Sequence, residues 1–185
     1  DAYTLFEKYG HVPLPAYMKR EDTSNDRERY NTVFSDIPGA VAAPTASLNL
    51  TDEILSNIKK KGAEIAKIEL KVGWGTFSPV REENVEDHKI HSEYINVSKQ
   101  SADIVNKCKG RVWAFGTTVV RALESAYSKE EKKVVPFSGY TDLYIYPGYK
   151  WRVVDVLVTN FHMPDSSLIL LVTAFAGKEN IKRAY

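Results

Sequence analysis

A histidine follows a strand-like segment in the stretch 155–177, which reads DVLVTNFHMPDSSLILLVTAFAG. The β-branched, apolar run 153–159 predicts a strand buried on both faces. The apolar run 166–176 predicts a helix that ends at Gly177. Between them, Asn160 and His162 lie on a turn at the carboxyl end of the strand, where open α/β sheets bind ligands. His162 is therefore a candidate acid, base or hydrogen-bond donor, and a histidine that only fastens the turn is an equal alternative.

A second candidate site joins the predicted strand 111–115 to the predicted helix 119–128 through Gly116-Thr117-Thr118. Backbone N–H groups at a helix start bind phosphate or carboxylate, and the two threonine hydroxyls add donors. Arg121 lies on the same side of that helix, and Glu124 is placed to hold its guanidinium or to bind a ribose hydroxyl. The alternative is an ordinary cap with an i,i+3 ion pair. The segment contains no Walker lysine and no complete GxGxxG, which argues against a standard nucleotide loop.

The loop 73–81, GWGTFSPVR, is a candidate nucleobase site. Phe77 offers an aromatic face for stacking, and Thr76, which follows Gly75, offers a hydroxyl beside it. Arg81 is a candidate ligand for phosphate or carboxylate. A packed turn around Phe77 and a surface role for Arg81 are the alternatives.

The motif His88-x-x-His91-x-Glu93 is a candidate acid–base pair. If residues 91–97 form a strand, His91 and Glu93 point to the same face. A histidine with a carboxylate partner can act as an oriented base. Because no further Cys or His cluster supplies ligands, we expect no metal at this motif.

The composition is that of an ordinary globular domain, with 43% hydrophobic and 26% charged residues. A length of 185 residues suits a single domain. The net charge of +1 gives no argument for a nucleic acid partner. The single cysteine, Cys108, excludes an internal disulfide and is expected to be a small, partly buried hydrophobe. No run approaches the ~18 apolar residues of a membrane span, and no signal-peptide pattern is present, so we expect a cytosolic protein.

Helix and strand patterns alternate along the chain, which predicts an α/β fold with a mixed, largely parallel sheet flanked by helices. Thr51 is a good N-cap for a helix that ends at Gly62, and Ser98 for one that ends at Gly110. Residues 66–72 alternate between apolar and charged side chains, as in a half-buried strand. Residues 143–146 are also expected to form a short strand.

Several stretches taken together resemble one family, the S-adenosylmethionine:tRNA ribosyltransferase-isomerases of queuosine biosynthesis. The matching stretches are His11–Tyr17, Arg29–Ser35, Gly39–Ala46, Val72–Val80, Asp87–Tyr94, Gly116–Glu124, Tyr144–Gly148 and Thr159–His162. The resemblance implies that residues 1–185 form a single α/β domain, the C-terminal portion of the family's large domain. The family's long N-terminal part, with its small inserted β-barrel domain, and its C-terminal tail are not matched.

The resemblance also implies a reaction. The ribosyl part of S-adenosylmethionine, the co-substrate, moves onto 7-aminomethyl-7-deazaguanine at the wobble position of a tRNA anticodon loop. The product is epoxyqueuosine, and adenine and methionine are released. No metal is implied, and a monomer in the cytoplasm is favoured. The basic residues expected to contact RNA, or to be ordinary solvated helix ends, are Lys59–Lys61, Lys107, Lys109, Arg111 and Lys178–Arg183.

Roles follow from the resemblance for the motif residues. His162 and the His91–Glu93 pair are assigned to proton transfer, and Gly116–Thr118 with Arg121 to the methionine carboxylate or an RNA phosphate. The nucleoside pocket is assigned to Thr45, Thr76 and Phe77, and the further substrate-binding candidates are Pro44, Gly75, Arg81, Glu124 and Asn160.

Asn49 and Lys71 stand where the family usually has histidines. Loss of these two imidazoles favours an alternative, a non-catalytic or altered-specificity paralogue that binds a nucleoside or RNA. The retained motifs around Thr159–His162 and Gly116–Glu124 oppose it. A third possibility is an S-adenosylmethionine-cleaving enzyme with a non-tRNA acceptor, which adenine release without RNA would separate from both.

Overall fold

A computed structural model describes residues 2–14, 18–35, 40, 42–73 and 80–185 of the chain. Its α-helices within these ranges are α1 (Ala2–Tyr9), α2 (Asp26–Arg29), α3 (Asp52–Lys60), α4 (Lys99–Lys107), α5 (Thr117–Ser125), α6 (Ser167–Ala176) and α7 (Lys178–Ala184). Its strands are β1 (Glu69–Lys71), β2 (Glu93–Val97), β3 (Trp113–Phe115), β4 (Tyr127–Ser128), β5 (Lys133–Val134), β6 (Phe137–Thr141) and β7 (Val156–Val158). The fold is mixed α/β, as predicted.

The strands form one antiparallel sheet in the order β1-β2-β6, a parallel pair β3-β7 and an antiparallel pair β4-β5. The expectation of a largely parallel sheet is therefore not met among the described residues. The physical reason is that β2 pairs antiparallel both with β1 and with β6, a strand that we did not predict. The predicted strand at 143–146 is wrong, because this segment forms no strand and inserts Ile145, 2% exposed, directly into the core.

Helix α5 connects the two principal sheets, because it packs against β1, β2 and β3. Val120 and Leu123 on α5 are buried with Ile95 and Val97 of β2, and Leu171 of α6 belongs to the same cluster. Burying a side chain of this size contributes about 1.5–3 kcal/mol. The predicted alternation before β2 is confirmed at Ile68, Leu70 and Val72, which face inward.

The helix starts agree with their sequence signals. Thr51 accepts a hydrogen bond from the Ile54 N–H, Ser98 from the Ser101 N–H, and Ser166 from the Ile169 N–H. The helix ends differ from the prediction, because α3 stops at Lys60 and α4 at Lys107, each before the expected glycine. Helix α5 covers Thr117–Ser125, so both threonines lie in its first turn rather than before it.

Two further expectations about burial are corrected. The strand predicted at 153–159 is reduced to β7, whose residues are half-buried rather than buried on both faces, since β3 is its one strand partner in the described ranges. Cys108 follows the last residue of α4 and is exposed rather than partly buried, since it lies past the end of the helix. None of the helices in these ranges has the length and apolar character needed to cross a bilayer.

Candidate active site

The candidate site lies at the carboxyl ends of the parallel strands β3 and β7. The Gly116 N–H, directly after β3, donates a hydrogen bond of 2.9 Å to the carbonyl oxygen of Val158, the last residue of β7. The start of α5 and the turn that carries His162 therefore begin side by side. The expectation that the His162 turn follows the carboxyl end of a strand is confirmed, and the structure brings the Gly116 motif to the same end.

The turn that carries Thr45 meets the same point. Pro44 precedes a 3-10 helix over Thr45–Ser47, and both Pro44 and Thr45 are half-buried. A Cβ added to Gly116 would lie 3.9 Å from the Cβ of Ala46 and 3.3 Å from Oγ1 of Thr118. Gly116 also has a φ of +103°, a conformation that L side chains rarely adopt. A glycine is therefore required where this turn meets α5.

The segment that begins at Val80 is joined to the histidine turn, since the Val80 N–H donates a hydrogen bond of 2.7 Å to the Asp165 carbonyl oxygen. The next side chain, Arg81, is exposed, as is Asn160. The three predicted pocket residues of the preceding loop, Gly75, Thr76 and Phe77, lie outside the described residues.

His162 is held by contacts to its ring and to its backbone. Its Nε2 lies 3.2 Å from Oγ1 of Thr159, and its backbone N–H donates to the Tyr185 hydroxyl at 2.8 Å. Its Nδ1 has no hydrogen-bond partner among the described residues. Burial lowers the pKa of His162, so the imidazole is neutral near pH 7. A neutral imidazole with a free ring nitrogen can accept or relay a proton.

The start of α5 is suited to an anion. No side chain of the described residues caps the helix, so within this part of the chain the N–H groups of its first turn are left for a ligand or water. Thr117 is buried at 7% exposure and Thr118 is half-buried. The pair of hydroxyls and the N–H groups together form a donor-rich surface beside Gly116.

Arg121 does not join this surface. It is 3% exposed and forms a buried ion pair with Glu93 of β2, and its Nε donates to the Leu143 carbonyl oxygen at 3.2 Å. Burial lowers the pKa of Arg121, while the charge of Glu93 opposes that effect. The predicted ion pair between Arg121 and Glu124 is wrong, because β2 packs across α5 and supplies a nearer carboxylate.

Glu124 is a structural carboxylate. It accepts hydrogen bonds from the backbone N–H groups of Arg152, Val153 and Val154 and from the Tyr149 hydroxyl. These bonds hold the segment that leads into β7. Burial and the nearby Glu124 charge raise the pKa of Tyr149. Since Glu124 is 5% exposed and its oxygens are occupied, the structure does not support its predicted contact with a ribose.

The predicted His91–Glu93 pair is not formed. The strand begins at Glu93, so His91 lies outside it and is exposed, while the Glu93 carboxylate is buried against Arg121. The histidine that does have a carboxylate partner is His88, whose Nδ1 lies 2.8 Å from Oε2 of Glu82. Sequence reasoning missed this pair because Glu82 stands in an acidic run with no periodic signal. The described residues contain no group of three or more side chains suited to a metal ion.

A family model described as queuosine biosynthesis protein matches residues 1–185. The chain belongs to this family. It is 52% identical over 182 residues to the S-adenosylmethionine:tRNA ribosyltransferase-isomerase of Treponema denticola and 52% identical over 186 residues to that of Chlorobaculum parvum. These matches cover 97% and 98% of the chain but 52% and 55% of the relatives. The chain thus spans about half the length of the curated relatives it matches.

A solved structure from the family agrees with the fold. The crystal structure of S-adenosylmethionine tRNA ribosyltransferase from Thermotoga maritima, at 2.00 Å resolution, is similar with a TM-score of 0.60 and 36% sequence identity. The likeness covers 76% of this chain and 44% of that chain. The resemblance inferred from the motifs is confirmed, and the mixed α/β fold is shared with a member of the queuosine biosynthesis family.

Proposed function

We propose that the protein transfers and isomerises the ribosyl part of S-adenosylmethionine onto 7-aminomethyl-7-deazaguanine at the tRNA wobble position. The observation that supports this proposal is that three motif segments, those of Thr45, Gly116 and His162, meet where β3 and β7 end. The curated relatives that share this whole stretch are named S-adenosylmethionine:tRNA ribosyltransferase-isomerase. The products would be epoxyqueuosine, adenine and methionine.

The chemistry assigns distinct tasks to the site. The sulfonium acidifies the neighbouring ribose carbon, so a base removes a proton there, and the departing adenine gains a proton. His162 is suited to these transfers because burial keeps its imidazole neutral and its Nδ1 meets no described partner. The methionine carboxylate would lie on the N–H groups and threonine hydroxyls at the start of α5. The nucleoside would lie against Pro44 and Thr45, with Thr76 and Phe77 completing the pocket.

Arg121 has a different role in this proposal from the one expected of it. Its buried pair with Glu93 ties β2 to α5 and so positions the helix start from one turn away. We therefore assign the anion to the backbone of α5 rather than to the guanidinium. No metal is required for any step.

The acceptor would approach from the exposed side of the histidine turn. Phe161 and Met163, on either side of His162, are 73% and 59% exposed, and the Phe161 ring meets the edge of the Tyr185 ring. Exposed aromatic and apolar side chains of this kind stack on unpaired bases. We propose that this surface contacts the tRNA anticodon loop, that one copy of the chain suffices, and that the protein acts in the cytoplasm.

We propose that activity tolerates the replacements at Asn49 and Lys71. Both side chains are exposed, and Lys71 extends over the Tyr94 ring at 5.2 Å and lies 3.8 Å from Glu69. Neither substitution leaves a gap in the core. We propose that residues 1–185 form the C-terminal portion of the family's large domain and that the reaction is retained.

The test is nucleoside analysis by mass spectrometry of tRNA incubated with S-adenosylmethionine and the natural full-length protein. We expect conversion of the wobble base to epoxyqueuosine. His162→Ala should lower turnover by about 10²–10⁴-fold without changing the unfolding midpoint, whereas His11→Ala, at an exposed histidine, should match wild type. Absence of product from the wild type would overturn the proposed function. Near-normal turnover by His162→Ala would remove His162 from the mechanism.

A further inference from the structure

The strongest unassigned group is the pair of Glu82 and His88. Nδ1 of His88 lies 2.8 Å from Oε2 of Glu82, and the His88 side chain is 9% exposed. The hydrogen bond with His88 is the largest cause that lowers the pKa of Glu82. The carboxylate is therefore ionised near neutral pH, and the shared proton lies on Nδ1 of the imidazole.

This arrangement fixes the tautomer of His88. Because the Nδ1–H is donated to Glu82, the free lone pair of the ring lies on Nε2. No described residue donates a hydrogen bond to Nε2. A carboxylate in this position orients the ring and stabilises the imidazolium that forms when Nε2 takes a proton. His162 lacks a carboxylate partner among the described residues, and its burial disfavours the charged form. Of the two histidines, His88 is the one with a carboxylate partner among the described residues.

Tyr144 supplies a second, independent observation. Its ring lies 5.4 Å from the His88 ring, centroid to centroid, and its hydroxyl is buried without a hydrogen-bond partner in the described structure. An unsatisfied buried hydroxyl is costly and points to a ligand or water that completes it. Burial, as the largest cause, raises the pKa of Tyr144, so the hydroxyl stays protonated and can both donate and accept.

Two connections join the cluster of Glu82, His88 and Tyr144 to the candidate site. Val80, two residues before Glu82, donates its N–H to the Asp165 carbonyl oxygen in the histidine turn. Leu143, the neighbour of Tyr144, accepts from Arg121 of α5. The cluster is thus tied to both the His162 turn and the helix that begins at Gly116.

We propose that His88 is the base that deprotonates the acceptor amine, and that the Tyr144 hydroxyl binds the same acceptor. Nε2 of His88 takes one proton from the ammonium form of the 7-aminomethyl group. The nitrogen keeps its electron pair, which forms the new bond to the ribosyl carbon. The bond between the ribosyl group and adenine breaks in the same reaction, and adenine leaves with the proton assigned to His162. The resulting imidazolium is paired with Glu82 and returns its proton to water. This inference rests on the proposed function and leaves the ribose and adenine proton transfers to His162.

The experiment measures product formation by wild type, His88→Gln, Glu82→Gln and Tyr144→Phe in the natural full-length protein, from about pH 7 to about pH 9.5. The control is His11→Gln, because His11 has the same 2.8 Å contact to a carboxylate, Asp22, but an 84% exposed side chain. Wild-type product formation tests the proposed function first, and the variants then test His88 separately.

We expect His88→Gln to lower kcat about 100-fold near pH 7. The defect should shrink below about 10-fold near pH 9.5, where a primary amine begins to lose its proton unaided. Glu82→Gln should show the same trend with a smaller loss, Tyr144→Phe should mainly raise KM for the tRNA, and the control should match wild type. A structural role for His88 would not produce this recovery at high pH.

Two results would overturn the inference while the proposed function stands. One is product formation by His88→Gln at the wild-type rate. The other is a loss of kcat in His88→Gln that stays constant across the pH range, together with a lowered unfolding midpoint. That result would mean that the cluster only stabilises the fold. Absence of product from the wild type itself would instead reject the proposed function, and this inference with it.

Discussion

The buried pair of Glu93 and Arg121 yields the sharpest stability prediction. The perturbation is Glu93→Gln, which removes the negative charge and keeps the shape of the side chain. Both residues are 3% exposed, so water cannot take over the solvation of the guanidinium. Nη2 of Arg121 already has no hydrogen-bond partner among the described residues, and Nε would keep its bond to Leu143.

The expected loss in free energy of unfolding follows from the interactions that Glu93→Gln removes. A hydrogen bond to a charged group contributes about 1.5–3 kcal/mol, and an uncompensated buried cation brings the expected loss in free energy of unfolding to roughly 3–5 kcal/mol. Replacement of both partners, Glu93→Leu with Arg121→Met, removes the charge along with its counter-charge. That double variant should recover most of the stability.

The assay is urea unfolding followed by circular dichroism and tryptophan fluorescence, with product formation measured on the same preparations. A loss below about 1 kcal/mol for Glu93→Gln would refute the reasoning that this pair is a buried structural element. If stability were kept while turnover fell, Glu93 would act on the substrate, as its sequence motif suggested.

Three further outcomes follow from the same contacts. Glu124→Gln should lose about 2–4 kcal/mol in urea unfolding, because an amide N–H₂ would face the N–H groups that lead into β7; an unchanged midpoint would contradict this. Burial holds the pKa of His162 in the folded chain below its unfolded value of about 6.5, so stability is lost as pH falls below that value. Between about pH 7.5 and about pH 5.5 the wild type should therefore lose more free energy of unfolding than His162→Gln. Equal losses in the two proteins would contradict the lowered pKa. Ser166→Ala should cost about 1 kcal/mol through loss of the α6 cap, while a neutral result would deny the cap its role.

Local signals in the sequence were reliable guides to local structure. Thr51 and Ser98 cap helices as predicted, and the alternation around Leu70 gives the inward-facing strand β1. The rule that ligand sites lie at strand ends correctly placed the His162 turn after a strand, at the end where the loop of Gly116 also begins. These features depend on neighbours within a few residues or on general rules for parallel strands, so the sequence contains enough information to find them.

Features that depend on distant partners were missed. Strand β6 contains Gly139 and alternates weakly, and only its pairing with β2 makes it a strand. Arg121 has a suitable carboxylate three residues away in Glu124, yet it pairs with Glu93, which lies 28 positions from it in sequence. Spacing rules along one helix cannot rank a neighbour on the same helix against a residue brought in by another strand.

Adenine release shows whether this chain carries the ribosyl-transfer site. The measurement compares adenine freed from S-adenosylmethionine by the natural full-length protein with tRNA bearing 7-aminomethyl-7-deazaguanine, with the same tRNA lacking that base, and without RNA. We expect release that depends on the modified base and disappears in His162→Ala. Intact binding of both ligands with no adenine released in any arm would contradict it and identify a binding protein instead.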